Sequence, residues 1–502
     1  MKKDSVWNDT SLSLEFPTLH DAVAVDVLIV GGGITGLTTA YLLKQAGRRV
    51  AVVDQQDIGG GETSHTTAHL THVTDARLHE LAGKLGNDAA RAFWESGRAA
   101  IEQIGSLAEE LDVDCEFRKV PGYLFAAEEK DAEAESKTLK EDARLAADFG
   151  FDATWIGSDP MFHRPAVRFA NQAKFHPLRY LASLAKAIPG DGSHVFSKTS
   201  GSGINEAKHE LRTGHGTIRY KTLVAATHVP IQGETGTLAA ALFQTKLAAY
   251  SSYAIGAKVP ATPAALFWDT LDPYHYWRFD DEEDGSFVIL GGEDHKTGQE
   301  EDTESRYENL EKLLREKFLK AKLTHRWSGQ VIETPDGMPF IGEVSERQYL
   351  ATGFSGNGMT LGTFSAMLLR DLITDRKNPW TDLFDPHRKR LAGAWDYLRE
   401  NKDFPVYFVK DRLAATEDLA DIKRTTGGIV KINGKKCAVY CDEHGKRTVR
   451  SAICPHMGCL VAWNPAEKTW DCPCHGSRFT ATGDLIAGPA EAGLEPVAKD
   501  SE

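Results

Sequence analysis

The stretch from Asp26 to Asp54, DVLIVGGGITGLTTAYLLKQAGRRVAVVD, constrains the fold more than any other. An apolar run to Val30 leads into Gly31, Gly33 and Gly36 at Gly-x-Gly-x-x-Gly spacing, followed by an apolar helix that Gly47 ends. Arg49 to Val53 reads as a second buried strand closing on Asp54. In such a strand-turn-helix-strand unit the first glycine permits the turn and the second lets a pyrophosphate approach the backbone. The third lets helix and strand pack closely. The helix N-terminus offers unpaired N–H groups and about half a positive charge to phosphates. Asp54 is placed to accept hydrogen bonds from an adenosine ribose, and its charge disfavours a 2'-phosphate. A bare glycine pattern is weak, but here the strand, the helix and the terminal acid accompany it, which favours a dinucleotide site over an ordinary Gly-rich turn.

The 502 residues allow two to four domains with large cores. Charged residues at 26% and hydrophobic ones at 41% fit a soluble globular protein. A net charge of -14 argues against a nucleic-acid surface and against anionic lipid. No apolar run approaches the length of a membrane span, and the polar start MKKDSVWNDTS lacks a signal-peptide core, so a cytoplasmic location is expected. Of the seven cysteines, Cys115 stands alone, while Cys437, Cys441, Cys454, Cys459, Cys472 and Cys474 crowd together. Such clustering points to a metal or redox module rather than a disulfide scaffold.

The loop from Gly59 to Asp75 is rich in Gly, Thr and His. It reads either as a surface loop or, directly after the ribose acid, as a wrap for the far half of a dinucleotide. Without patterned carboxylates or Cys beside them, His65, His69 and His72 are expected to be polar lining rather than metal ligands. Ala76 to Leu111, Ala132 to Ala147 and Pro177 to Ala187 carry helical periodicity, whereas Gly214 to Pro230 reads as a hairpin ending in a buried strand. In residues 266 to 295 two strands meet at an acidic turn. Alternation there puts Tyr274, Tyr276 and Arg278 on one face, as a pocket wall. Trp327 to Gly342 is turn-rich. Tyr349 to Ile373 follows as strand, glycine turn and a helix from about Thr360, whose N-terminus can stabilise negative charge.

The glycine fingerprint with Asp54, the ETSHTTAHLT loop, the PDGMPFIG turn and the ATGFSGNGMTLG segment occur in the order that the FAD-dependent D-amino-acid oxidase, glycine oxidase and sarcosine oxidase superfamily uses, and residues 22 to 376 resemble it. The resemblance implies FAD rather than NAD. It implies flavin contacts at Gly31, Gly33, Ile34, Thr35, Gly36, Asp54, Thr63, Ser64, Thr67, Ala68, His69, Gly356, Asn357, Gly358, Met359 and Thr360, with Gly203 as an adenine contact. Two departures stand out. Where glycine-oxidase-like members carry a carboxylate-clamping Arg, this chain has Val331, which puts a simple amino-acid substrate in doubt unless Arg278 takes over. No Cys precedes PDGMPFIG, so the cysteinyl-flavin bond of sarcosine oxidases is not expected.

Residues 377 to 414 are mixed in composition and read as a connecting segment packed on the flavin part. Beyond Thr416, β alternation is broken by the turns Asn433-Gly434 and His444-Gly445, and Cys437 and Cys441 fall on one buried strand face. Cys454-x-His456 and Cys472-x-x-His475 then give two thiolates and two imidazoles on two short loops. This set suits a Rieske 2Fe-2S cluster, the Cys pair on one iron and the His pair on the other. Zinc takes the same ligand types, but its usual paired spacing is absent.

The whole run resembles the Rieske proteins of cytochrome bc complexes, because each loop carries an extra Cys. The resemblance implies a disulfide between Cys459 and Cys474 bracing the cluster. It also implies hydrogen bonds to the sulfurs from Ser477 and from a Tyr that is here Phe479.

The expected architecture is an α/β dinucleotide-binding fold with an antiparallel β-sheet substrate domain, D-amino-acid-oxidase-like, plus an all-β Rieske domain. The flavin domain is expected over 22–115, 166–235 and 326–376, the substrate domain over 116–165 and 236–325, and the Rieske domain over 415–502. Together these features predict an enzyme that takes a hydride equivalent from an amine or other small organic molecule. Electrons would then leave singly through the cluster to an external acceptor, protein or quinone-like. The rivals are a reductase running from a protein donor to the flavin, and a non-catalytic redox sensor or carrier. The catalytic base, the substrate and the oligomeric state are not legible.

Overall fold

The strands Val27–Val30 and Val50–Val53 are buried along their whole length, as the continuous apolar runs of a parallel sheet covered on both faces require. A computed structural model describes the chain apart from residues 12–14, 128–131, 202, 232–243, 245, 389–415 and 498–502. Among the described residues the nucleotide-binding sheet has the order Phe340–Ser345, Gln348–Thr352, Thr222–Ala225, Val27–Val30, Val50–Val53, His194–Phe196. All neighbours run parallel except the first pair. The strand order turns back at Val27–Val30, so the glycine turn leaves the carboxyl end of the strand where such sheets bind ligands. The helix Ile34–Gln45 is buried on nearly every side between this sheet and the helix Gly358–Ile373. Gly362 permits that approach, since a Cβ there would lie 2.6 Å from the Thr35 hydroxyl.

A larger sheet runs Lys322–Glu333, Ala248–Val259, Gly285–Lys296, Tyr276–Glu282, Leu266–Asp269, Arg118–Phe125, Ala166–Lys174, His69–Leu70, with Ala153–Ile156 paired to Ala166–Lys174. Among the described residues its one parallel contact joins Leu266–Asp269 to Arg118–Phe125. The boundaries expected at residues 166 and 326 fall at and inside strands of this sheet, because an alternating pattern reports burial but not which sheet a strand joins. Trp327 to Gly342 is likewise less turn-rich than its composition implies, since its first half completes the strand Lys322–Glu333. The hairpin expected within Gly214 to Pro230 is instead formed by Glu210–Arg212 with Thr217–Arg219, in a small sheet with Ala22–Ala24 and Ile204–Asn205. Thr222–Ala225 belongs to the nucleotide-binding sheet.

The helices follow their periodicity. Leu78–Leu85 and Asn87–Glu110 divide at Gly86, and Ala132–Asp148 and Pro177–Ala187 stand where expected. The connecting segment is described as far as Arg388, which binds Asp336 and the carbonyl of Met338 and so ties the segment to the flavin part. Its remainder, 389 to 414, lies outside the described residues. No described helix is long and apolar enough to cross a membrane.

The two sheets of the C-terminal region are antiparallel throughout, and an isolated parallel bridge joins Glu417 to Val430. Thr426–Ile432, Lys435–Cys441 and Arg447–Ser451 form one sheet, and Ala462–Asn464, Thr469–Asp471, Arg478–Thr480 and Leu485–Ala487 another. Asn433 and Gly434 both take positive φ, as the tightest hairpin turn demands, and Cys437 and Cys441 are buried. This module docks on the larger sheet through polar contacts. Thr303 donates to Asn464 Oδ1 (2.8 Å), Tyr307 OH to Glu467 (2.6 Å), Gln299 to the Pro473 carbonyl (3.1 Å) and Gln330 to the Gly476 carbonyl (2.8 Å).

Candidate functional site

Two sites share one wall. The first is a cavity of about 860 Å³ that starts at the glycine turn, runs beneath the larger sheet and ends at the last glycine loop. At its near end a Cβ on Gly36 would lie 1.9 Å from the Gly31 carbonyl oxygen, and Gly31 itself takes φ 112°. Only glycine fits either place. The N-cap residue of the helix Ile34–Gln45 is Gly33, which has no side chain to cap it; the Thr63 hydroxyl accepts from Ile34 N (3.2 Å), and the helix N-terminus keeps its positive field for a phosphate. Asp54 accepts from the N–H of Gly32 (2.7 Å) and of Gln56 (2.8 Å) and lines the cavity. Burial pushes its carboxyl up, and those N–H groups oppose the rise.

Of the expected flavin contacts, Gly31, Gly33, Ile34, Thr35, Asp54, Thr63, Thr67, His69 and Gly356 to Met359 line the cavity. Gly36 instead supports the turn from behind, and the Ser64 hydroxyl donates to the Gly61 carbonyl within its own loop. Ala68 and Thr360 stand behind the lining. Gly203 is a correction: it packs on Arg212, with its carbonyl bound by Arg212 N (2.9 Å), while Ser200 and Gly201 line the cavity in its place. His65 and His69 line the cavity, whereas His72 stacks on Phe151 in the core, where burial lowers its pKa to about 3.

The wall expected from residues 274 to 278 is only partly so. Tyr274 and Tyr276 line the cavity, but Arg278 does not. Its face of the strand continues past the end of the cavity, where the guanidinium binds Asp280 (2.9 Å) and the carbonyls of Ala68 and Phe175 (both 3.0 Å). Arg278 therefore braces the cofactor loop and cannot replace the clamp absent at Val331, which lines the cavity as an apolar side chain.

Three lining residues carry chemistry that the sequence did not single out. Asp75 accepts from Tyr274 OH (2.8 Å) and from the Gly356 N–H (2.7 Å), joining wall to last glycine loop. Ser252 Oγ stands 2.9 Å from Tyr276 OH. Asp294, on the neighbouring strand, has its carboxyl pushed up to about 7, chiefly by burial and against a hydrogen bond from Ser252. These residues lie far apart in the chain: Asp75 comes from a loop, and Ser252 and Asp294 fall in the bulge that interrupts the pairing of Ala248–Val259 with Gly285–Lys296, which no local pattern signals.

The second site lies at the tips of the C-terminal loops. Cys454 and Cys472 are buried and interact with each other, which holds the Cys454 thiol below the ordinary thiol range. The rings of His456 and His475 meet edge to face with centroids 4.9 Å apart. Burial lowers both imidazoles to about 4, leaving them neutral as metal ligands must be. His456 Nδ1 is buried without a hydrogen-bond partner, an orphan that a metal would satisfy, while Nε2 meets Gln244 Oε1 at 3.0 Å. Cys459 and Cys474 form a disulfide beside Cys472, which leaves two cysteines and two histidines as the donor set. Two adjacent thiolates and two adjacent neutral imidazoles fit a cluster whose two irons differ in ligation. Ser477 hydrogen-bonds Cys454 and accepts from Ala490 N (3.0 Å), and Phe479 is fully buried in the core beneath.

The sites meet because the segment Leu485 to Glu491 of the C-terminal module lines the cavity, and because Gln330 binds the Gly476 carbonyl while its neighbour Val331 faces the cavity.

Comparison with known proteins agrees with this division. A family model described as FAD dependent oxidoreductase matches residues 26–372, and one described as Rieske [2Fe-2S] domain matches 412–498. The protein YhfW of Bacillus subtilis (strain 168), whose name describes it as a Rieske 2Fe-2S iron-sulfur protein, is 30% identical over 99% of this chain and 98% of its own length. Gamma-glutamylputrescine oxidoreductase of Escherichia coli (strain K12) is 25% identical over 71% of this chain and 85% of its own. Among solved structures, glycine oxidase from Geobacillus kaustophilus superposes with a TM-score of 0.60 at 20% identity, over 73% of this chain and all of that one.

Proposed function

The chain belongs to the FAD dependent oxidoreductase family and carries a Rieske [2Fe-2S] domain, and from that premise we propose that it is a dehydrogenase of a small amine that delivers electrons singly to an external acceptor. When bound, FAD takes two electrons with a hydride and the cluster passes them on one at a time. The observation that carries this reading is the shared wall: a loop of the cluster module, Leu485 to Glu491, closes the same cavity that the flavin-binding loops line. A module held there serves electron exchange with that cavity better than it serves an unrelated surface.

The chain's own residues have separable tasks. The N-terminus of Ile34–Gln45 holds phosphate, Asp54 the ribose, and the N-terminus of Gly358–Ile373 favours negative charge at the far end of the cavity. Tyr274 and Tyr276 form the wall over the reacting region, and burial holds both phenols protonated. Gln330 joins the two modules: it lines the cavity and donates to the carbonyl of Gly476, the residue after His475. The Escherichia coli relative is named for gamma-glutamylputrescine, an amine, which supports oxidation at a C–N bond.

An anaerobic substrate screen tests this, following flavin absorbance and the cluster's electron-spin signal together. An amine should bleach the flavin and then reduce the cluster, and a one-electron dye should restore both much faster than oxygen does. Stoichiometric peroxide during rapid aerobic turnover would overturn the dehydrogenase reading.

A further inference from the structure

Asp294 stands out within the cavity because its own surroundings leave it unfinished. Its neighbours on the wall are saturated: Asp75 has both oxygens occupied, by Tyr274 OH and the Gly356 N–H, and Tyr276 OH is held by Ser252. Asp294 Oδ1 is buried with no hydrogen-bond partner, on a side chain that lines the cavity. A buried carboxylate oxygen left bare costs more than a hydrogen bond contributes, so such an atom marks a place for a donor from outside the chain.

The groups facing it define what that donor is. Ser252 approaches from the strand Ala248–Val259, Tyr276 from the strand beside its own, and Asp75 and Tyr274 from the loops at the cavity's far end. Glu293 precedes Asp294 on its own strand, and His275 is engaged by Asp269 (3.0 Å) and Glu293 (3.4 Å). The strongly basic side chains among the described lining are Arg77 and Lys84. Arg77 is committed to Asp142 at 2.8 Å, and Lys84 lies in the last turn of the helix Leu78–Leu85. A ligand anion placed here would meet the carboxyl groups of Asp75 and Asp294, with the nearby positive charge of His275 already held by Asp269 and Glu293, whereas a cation would meet a prepared acceptor.

We propose that Asp294 receives the ammonium group of the substrate, and that the site therefore takes a cationic primary or secondary amine with no carboxylate beside the nitrogen. This deepens the dehydrogenase reading and rests on it for the oxidation that follows. Asp294 also takes the proton that such an amine must lose before its carbon can be oxidised. The ammonium N–H bond breaks, a carboxyl O–H bond forms, the nitrogen keeps the electron pair, and no electron leaves the substrate in that step. Burial holds the Asp294 carboxyl near the pH at which such an exchange is easiest.

The test uses the FAD-loaded full chain and two isosteric probes without a hydrogen on the substituted carbon, so that neither can be oxidised: tert-butylammonium and pivalate. Binding is read from perturbation of the flavin spectrum and by calorimetry at pH 8. The ammonium probe should saturate the site and pivalate should bind at least about tenfold more weakly. Asp294→Asn should weaken the ammonium probe about tenfold or more, with Asp294→Glu restoring most of it. Affinity for the ammonium probe should also rise between pH 6 and pH 8 as Asp294 ionises. Tighter binding of pivalate, no saturable binding of tert-butylammonium, or an unchanged affinity in Asp294→Asn with FAD still bound would each overturn the proposal. Should Asp294→Asn lose FAD, the comparison of the two probes on the unaltered chain decides alone. No probe binding depends on turnover. An ammonium site in a protein whose flavin no amine bleaches would refute the dehydrogenase reading and leave this one standing. An α-amino acid that bleaches the flavin and is indifferent to Asp294→Asn would do the reverse.

Discussion

The cluster site and the substrate end of the cavity are built on opposite plans. Every donor of the cluster site comes from two loops, Cys454 to Cys459 and Cys472 to Ser477, which a disulfide joins. The substrate wall takes Asp75 from a loop, Ser252 from one strand, Tyr276 from a second and Asp294 from a third. A metal fixes ligand type and spacing so tightly that local sequence must carry it, whereas a substrate asks only that certain groups meet across a sheet. The first plan fails all at once when one atom is changed, and the second degrades by degrees.

The sharpest break of that contrast is Cys454→Ser. It should abolish the Rieske spectrum and electron-spin signal while FAD remains bound, because neither loop lines the cavity proposed for the flavin; iron retained in this variant would sink the ligand assignment. Gly36→Val should do the converse. A side chain there would strike the Gly31 carbonyl, so FAD content should fall by at least tenfold while the cluster signal persists, and full flavin occupancy would show that the turn can yield.

The same contrast explains what was legible beforehand. Gly31, Gly33 and Asp54, like Cys454, His456, Cys472 and His475, sit in short motifs whose spacing is itself the physics. Gly203 misled because a glycine near the expected strand is as easily a packing residue, here against the Arg212 carbonyl, as a ligand contact. Arg278 misled because alternation names a face but not how far the cavity extends along it. Asp75 and Asp294 were invisible for a related reason. A carboxylate is ordinarily solvated, and Asp294 reaches the wall near Ser252 only because both fall in the bulge that interrupts the pairing of Gly285–Lys296 with Ala248–Val259, between Ser251↔His295 and Tyr253↔Gly292.

Stability separates the plans at moderate amplitude. The Asp294 carboxyl titrates near 7 in the folded chain against 3.8 as its ordinary value, so between these pH values the folded state holds more protons than the unfolded one. Stability must then fall as pH rises through that window, with the full penalty, on the order of 2–4 kcal/mol, above about pH 7. Asp294→Asn removes the charge and keeps the shape. It should therefore raise the melting temperature of the flavin part at pH 8 and raise it less at pH 5, where only part of the penalty has accrued, even as amine binding weakens. Equal shifts at both pH values would mean that the carboxyl is not raised. Smaller again is the junction: Gln330→Leu removes the bond to the Gly476 carbonyl and should slow cluster reduction after flavin bleaching by a few-fold, with both cofactors retained. An unchanged rate in single-turnover mixing would move the electron route elsewhere along the shared wall.

The smallest expected effect lies inside the cluster site, where the plan leaves least freedom. Hydrogen bonds to the cluster-ligating sulfurs raise the potential, since they favour the reduced state, which carries more negative charge. Ser477 is placed to supply one, through its bond to Cys454, with its own oxygen fixed by Ala490 N. Phe479 cannot supply a second. Its ring is fully buried, on the strand Arg478–Thr480 that pairs with Trp470, within the same apolar cluster as Cys454 and Cys472. A hydroxyl added there has no water to reach and must find an acceptor in that core, and Cys454 and Cys472 belong to the same cluster of side chains. Phe479→Tyr should accordingly shift the cluster potential upward by some tens of millivolts, where about 59 mV is a tenfold change for one electron. Direct voltammetry on the full chain measures it. A spectrum that stays intact with no shift would place the new hydroxyl away from the sulfurs, and a lost spectrum would mean that the core cannot admit the extra atom.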